Sequence, residues 1–227
     1  MVSSKGGLPK SALQFLEALA ANNNRDWFQA NKKRYEQELR DPWKAFVTEV
    51  LKRLETVHPD FQGIEAKDCI FRIHRDTRFS ADKTPYKLNV SAGISSGGKK
   101  SSEPGVYLQA SPAGWVVGGG AYWLEKHELQ AVREAIAAAP DEWKKRVHRG
   151  EFARVFGSIQ GNRNKRLPAE FRAAAEHSPD IALKQFYYMS ERPLSELTSD
   201  RALDGIMESV TAAEPVRTFL RKALHTD

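Results

Sequence analysis

The sequence predicts an α+β fold, with an antiparallel sheet of about four to five strands flanked by N- and C-terminal helices. Three observations predict it. Apolar residues recur at three-to-four spacing before residue 60 and again after residue 125. Between those regions they alternate with polar or small residues, the period of a strand with one face in the core. Ser111-Pro112-Ala113-Gly114 then separates two alternating runs as a hairpin turn would. No internal repeat and no long linker interrupts the pattern. Residues 11–224 are therefore expected to form a single domain behind a flexible N-terminus, 1–10.

Taken in order, Ser11 is placed to cap a helix carrying Leu13, Leu16, Leu19 and Ala20, which Asn22-Asn23-Asn24 interrupts. A second helix is expected from about Asp26 through Leu39, with Trp27, Phe28 and Tyr35 as its large residues. Asp41-Pro42 combines a cap acceptor with a preset φ and should start a third. Its face is Trp43, Phe46, Val47, Val50, Leu51 and Leu54, and His58-Pro59 ends it. Cys69, Phe71 and Ile73 alternate with Ile70, Arg72 and His74 as a first strand, and Leu88 to Ile94 as a second. Ser95 through Gly105 is a Gly/Ser/Lys-rich loop with no packing signal, expected to be mobile. Val106 to Ala110 and Trp115 to Gly118 complete a meander. Helices are expected at about Glu125–Ala138, Asp141–Arg149, Glu151–Phe156 and Pro168–Ala175, with a closing strand at Gln185–Ser190. Two helices around Glu214-Pro215 end the chain.

The 227 residues are 41% apolar and 28% charged, the balance of a folded globular chain with ample core. The longest apolar runs fall far short of the roughly 20 residues that cross a bilayer, so no membrane partner is expected. The first nine residues hold no apolar signal-peptide core, and a single cysteine, Cys69, forbids an intrachain disulfide. A cytoplasmic location is the simplest expectation. The net charge of +6 favours anionic partners without choosing among them.

Residues 75–87, Arg-Asp-Thr-Arg-Phe-Ser-Ala-Asp-Lys-Thr-Pro-Tyr-Lys, are the segment with most chemistry. A connection that only turns the chain needs Gly, Asn or Pro instead. Arg presents a planar fork of donors to phosphate or carboxylate, and Lys a movable point charge. Two readings stand. In one, Arg72, Arg75, Arg78, Lys83 and Lys87 bind an anion, Tyr86 donates a hydrogen bond, and Asp76 and Asp82 orient the cations or act as acid–base groups. In the other, the cations and carboxylates pair internally, Asp76 with Arg78 and Asp82 with Lys83, to pin a long loop, with Phe79 and Tyr86 in the core.

The segment also carries a resemblance. Arg75-Asp76-x-Arg78-Phe79-x-x-Asp82-Lys83-x-Pro85-Tyr86-Lys87 resembles the signature of domain-of-unknown-function family 2461. The flanks are similar too: Phe15-Leu16 with Leu19, Asn23-Asn24, Trp27-Phe28, then Tyr107, Trp115 to Gly120 and Arg133. The resemblance covers about Leu8 to Leu224. It implies an intracellular α+β domain and implies no reaction, cofactor or catalytic residue.

Gly118-Gly119-Gly120, between a strand and a helix, is either a closely packed strand end or a source of bare N–H groups for an anion. In the second case Gly119 and Arg133 would join the anion site. Lys99-Lys100, Arg146 to Arg149 and Arg163 to Arg166, with Trp143, Phe152 and Phe156 between them, would suit a nucleic-acid backbone or simply form solvated surface. Six scattered histidines give no metal-ligand spacing, no cofactor motif is present, and Cys69 reads as a core thiol. The leading expectation is a cytoplasmic protein with a basic phosphate- or carboxylate-binding pocket for a small anionic molecule; if it is an enzyme, a phosphorylated small molecule is the substrate expected. The alternatives are a nucleic-acid-binding module and a non-catalytic interaction protein.

Overall fold

The computed structural model describes residues 6–225. Helix α1, Lys10–Ala21, buries Phe15, Leu16 and Leu19, and it begins without any side-chain cap, at Pro9 rather than Ser11. Pro at the first turn forfeits only an N–H that would be unpaired anyway. Of the expected flexible residues 1–10, residues 1–5 lie outside the described ones. Leu8 is buried and its N–H donates to Leu197 O at 2.9 Å.

The Asn run breaks the chain as its chemistry predicts. Asn24 Oδ1 accepts the Trp27 N–H at 2.9 Å and caps α2, Arg25–Ala30. A short α3, Lys32–Arg34, then leads through a π-helical turn, Tyr35–Arg40, into α4, Asp41–Val57. Asp41-Pro42 therefore does not start a new helix. Pro42 has no N–H to give, and the widened turn, in which the Asp41 N–H reaches back to Glu36 O, carries helical backbone past it. The face of α4 is the expected one, and α4 ends at His58.

The expected first strand is not one. Ala66–Cys69 is a short helix, α5, and residues 70–74 pair as backbone only at isolated bridges, Ile70 with Ala92 and His74 with Tyr86. The sheet consists of β1 (Val90–Ile94), β2 (Gly105–Ser111), β3 (Gly114–Ala121) and β4 (Phe186–Arg192), antiparallel and hydrogen-bonded in that order. The hairpin at 111–114 and the late strand stand where the sequence predicts them. The 95–104 loop is tied down rather than loose: Ser95 Oγ lies 2.9 Å from Ser101 Oγ and donates to Glu103 O at 3.2 Å, and Ser102 Oγ donates to Glu128.

The remaining helices are α6 (Lys126–Ala138), α7 (Pro140–His148), α8 (Gly150–Phe156), α9 (Arg172–His177), α10 (Leu194–Leu197) and α11 (Ala202–Leu224). Glu125 and Glu128 form a capping box at the start of α6. Helix α11 runs unbroken through Pro215, where two helices were expected. An internal proline costs about 3 kcal/mol. Continuous burial of Ala212, Ala213, Val216, Phe219 and Leu220 on both sides of it outweighs that cost, and Arg146 Nη1 donates to Pro215 O at 2.9 Å.

The chain divides into two compact units. The first comprises residues up to Ile94 with Tyr107–Val117 and Glu191–Met207, and is packed around Phe15, Trp43, Phe46 and Leu54. The second comprises Ser95–Val106, Gly118–Ser190 and residues from Glu208 on, and is packed around Trp143, Phe152, Phe186, Tyr188 and Val216. No helix among the described residues is long and apolar enough to cross a membrane.

Candidate functional site

Two extended arms in the first unit carry residues 76–84 as a tip. Phe71 N–H donates to Ser91 O, Lys87 N–H to Ile73 O and Arg75 N–H to Pro85 O, at 3.0, 2.8 and 2.9 Å. Pro85 has no N–H to return, so the last pair is bonded one way and the ladder stops there. Ile73 points into the core while Arg72 and His74 face solvent, the alternation read from sequence. Tyr86 anchors the arm. It is buried and stacked on Phe28 at 4.0 Å between ring centroids. Its N–H donates to Asn23 Oδ1 at 3.1 Å, and its carbonyl accepts from Asn23 Nδ2 at 3.0 Å. Sequence alone marks Asn23 as a helix breaker and does not reveal this clamp, because nothing local pairs two residues 63 positions apart.

Within the tip the ionic groups pair. Arg75 Nη1 donates to Asp82 and Thr84, and Asp82 Oδ1 accepts from Thr84 N and Oγ1 at 2.9 and 2.8 Å. Arg78 grips Asp76 through Nε and Nη2, at 3.0 and 2.7 Å. Lys83 Nζ donates to Thr77 O at 2.9 Å. Hydrogen bonds from the Arg78 side chain and backbone hold the Asp76 carboxyl at about 2, below its usual 3.8. Those from Arg75 and then Thr84 do the same for Asp82. A general base working near neutrality needs a raised pKa, so neither carboxylate is tuned for that task. The same pairing raises the Arg78 guanidinium.

Pairing leaves charge over. Residues 72–87 carry five cations, Arg72, Arg75, Arg78, Lys83 and Lys87, against two carboxylates. Arg72, Arg78 and Lys83 are exposed, while Lys87 is half-buried with its ammonium 5.6 Å over the Phe71 ring. Phe79 does not enter the core beside Tyr86. It is 96% exposed at the end of the tip, with the Arg78 guanidinium 5.8 Å from its ring.

Gly119 and Arg133 belong to the second unit. A Cβ at Gly119 would collide with Gly105 O and lie 2.9 Å from Tyr188 Oη, so this glycine serves close packing of the sheet. Arg133 is buried and donates to Ile181 O and Leu183 O at 2.9 and 3.0 Å. Burial lowers its guanidinium from the ordinary value. Trp143, Phe152 and Phe156, the aromatics between the basic clusters, are buried. Cys69 is buried with its thiol directed at Glu65 O. Among the described residues no group of three or more His, Cys, Asp or Glu side chains is placed to hold a metal ion.

The ion pairs make an acid-limb prediction. A carboxyl lowered from 3.8 to about 2 stabilises the fold fully above about pH 4, and that contribution is lost as pH falls through about 2. Both groups are exposed, so salt weakens the effect. In thermal melts, Asp82→Asn is expected to differ from wild type above pH 4 and to converge with it toward pH 2. Arg75→Ala and Asp82→Asn combined should cost less than their sum, as members of one network do.

No curated protein and no solved structure matches the chain. A family model described as a conserved hypothetical protein, DUF2461, matches residues 11–219. That span takes in the hairpin tip, its Asn23 clamp and most of both cores, and the chain belongs to the DUF2461 family.

Proposed function

We propose that the hairpin tip is a binding element, not an acid–base centre, and that it takes a phosphate- or carboxylate-bearing ligand on Arg72, Arg78 and Lys83 around Phe79. The observation that carries this reading is the surplus of three cations over carboxylates across residues 72–87, of which Arg72, Arg78 and Lys83 are exposed while both carboxylates are already tied. The Arg75–Asp82–Thr84 and Arg78–Asp76 pairs hold the backbone of the tip. They leave the remaining guanidinium donors to a ligand, so less side-chain freedom is lost on binding. Tyr86, Lys87, Gly119 and Arg133 have no direct role in it. The buried single thiol of Cys69 suits a reducing compartment, and a cytoplasmic location is part of the proposal.

Titration calorimetry of the full chain with phosphate, tripolyphosphate and citrate tests it. Binding should weaken as salt rises. Arg78→Ala removes a charge-assisted contact and also frees Asp76 to repel the ligand, so affinity should fall about tenfold to a hundredfold. Phe79→Ala removes no buried surface and should leave the melting temperature unchanged while weakening the grip on the ligand. No heat from any of the three anions at low salt overturns the reading.

A further inference from the structure

The second unit carries an exposed aromatic surface of its own. Tyr122 and Trp123 follow β3 directly and are 47% and 49% exposed. Trp43, Trp115 and Trp143 are buried, so an open Trp beside an open Tyr is unusual in this chain. The two rings meet edge to face at 5.1 Å, and Tyr122 rests on Tyr187 at 5.4 Å. The Lys100 ammonium stands 5.8 Å from the Trp123 ring. Ala121 in the core on one side and the Glu125–Glu128 capping box on the other fix the backbone at both ends of this connection.

A cationic strip begins beside Tyr187, the ring on which Tyr122 rests. Residues 160–164 run antiparallel to 182–187: Gln160 exchanges hydrogen bonds with Tyr187 at 2.6 and 3.1 Å, Lys184 N–H donates to Asn162 O, and Asn164 N–H to Ala182 O. The segment 160–166 holds Arg163, Lys165 and Arg166 and no carboxylate, and Lys184 lies in the facing segment. Arg163 is committed to Pro179 O and to Asp180. Lys165, Arg166 and Lys184 are exposed.

We propose that this surface binds single-stranded nucleic acid, with bases stacking on Trp123 and Tyr122 and the phosphate backbone following Lys100, Lys184, Lys165 and Arg166. Exposed aromatic rings beside a track of cations are what a sequence-tolerant single-strand site requires. The stretch from Gln160 to Arg166 spans at most about 20 Å, more than one mononucleotide covers and within the reach of a short strand. Guanidinium and ammonium groups along the strip select phosphate, where a neutral sugar would call for carboxylate or amide partners. The stacked bases of a duplex would keep their faces from the platform.

The test is fluorescence anisotropy of the full chain with a labelled single strand of about 20 nucleotides and with the matching duplex. The single strand should bind more tightly. Base–aromatic stacking is worth about 1–3 kcal/mol by alanine substitution, so Trp123→Ala should weaken binding roughly fivefold to 150-fold. Its salt dependence should stay intact. Lys165→Gln with Arg166→Gln should instead flatten the log–log salt dependence by about 0.7 for each phosphate that is no longer neutralised. All these residues are exposed, and unchanged melting temperatures will confirm that the variants fold. No single-strand binding at low salt, equal affinity for duplex, or wild-type affinity in Trp123→Ala overturns the proposal. Failure to bind any oligonucleotide would leave the platform to a protein partner. These variants differ from those of the hairpin tip, so the two readings fail separately.

Discussion

Gly120→Ala is expected to destabilise the protein by about 3–5 kcal/mol, among the largest losses any single methyl group would cause in this chain. Two effects add. The backbone at Gly120 has φ of +108°, a conformation that L side chains rarely adopt. A Cβ there would also sit inside the contact radius of Phe186 O and 2.7 Å from Tyr187 Cα, both backbone atoms of β4 that no rotamer change can move. The β3–β4 pairing would have to open at the point where Ala121, Phe186 and Tyr188 enter the core of the second unit. Denaturant unfolding of Gly120→Ala beside Gly114→Ala checks this. Gly114 has nothing within 4 Å of an added Cβ and ordinary φ, so its loss should be within about 1 kcal/mol. If the Gly run served instead as an anion-binding loop, Gly120→Ala would change ligand affinity more than stability.

Much of the fold was legible because it rests on local rules. The face of α4, the break at the Asn run, the 111–114 turn and the late strand follow from spacing and local residue chemistry. The misreadings arose where a longer-range effect overrode a local signal. Pro42 and Pro215 are both strong local punctuation, yet a π turn absorbs the first and a continuous buried face carries α11 past the second. Cys69, Phe71 and Ile73 alternate like a strand, but the segment meets β1 at a single isolated bridge, Ile70 with Ala92, after a helical turn.

The candidate site was legible as a cluster and in its Arg78–Asp76 pair, but not in the partner of Asp82, which is Arg75 and not Lys83. That Arg75 chooses Asp82, seven residues on, depends on the turn geometry of 77–81 and not on residue types. Phe79 and Tyr86 are both aromatics in one motif. Only the Asn23 clamp and the Phe28 ring, both remote in sequence, decide that Tyr86 is inside and Phe79 outside. Tyr122 and Trp123 gave no signal of exposure, since aromatics after a strand are as often core as surface.

Arg133→Ala is expected to cost about 3–5 kcal/mol, and the size of that loss separates a structural arginine from a ligand-binding one. Arg133 is 4% exposed, and it supplies the donors to Ile181 O and Leu183 O in the segment that leads into β4. Removing the guanidinium strands two carbonyls in the core at about 1–3 kcal/mol each, and truncating the stem adds a cavity. Arg133→Met keeps the stem and removes the burden of a buried charge, so its loss should be roughly half as large. Arg133→Lys keeps the charge but replaces a rigid fork with one ammonium, and should fall between the two. Urea unfolding of the three variants, with and without tripolyphosphate, makes the comparison. A structural Arg133 predicts the order Ala, Lys, Met from most to least destabilised, with the same ligand-induced stabilisation in all of them as in wild type. An Arg133 that contacts the anion predicts loss of that stabilisation in Ala and Met and its retention in Lys. The two carbonyl bonds inside the core make the first outcome the expected one.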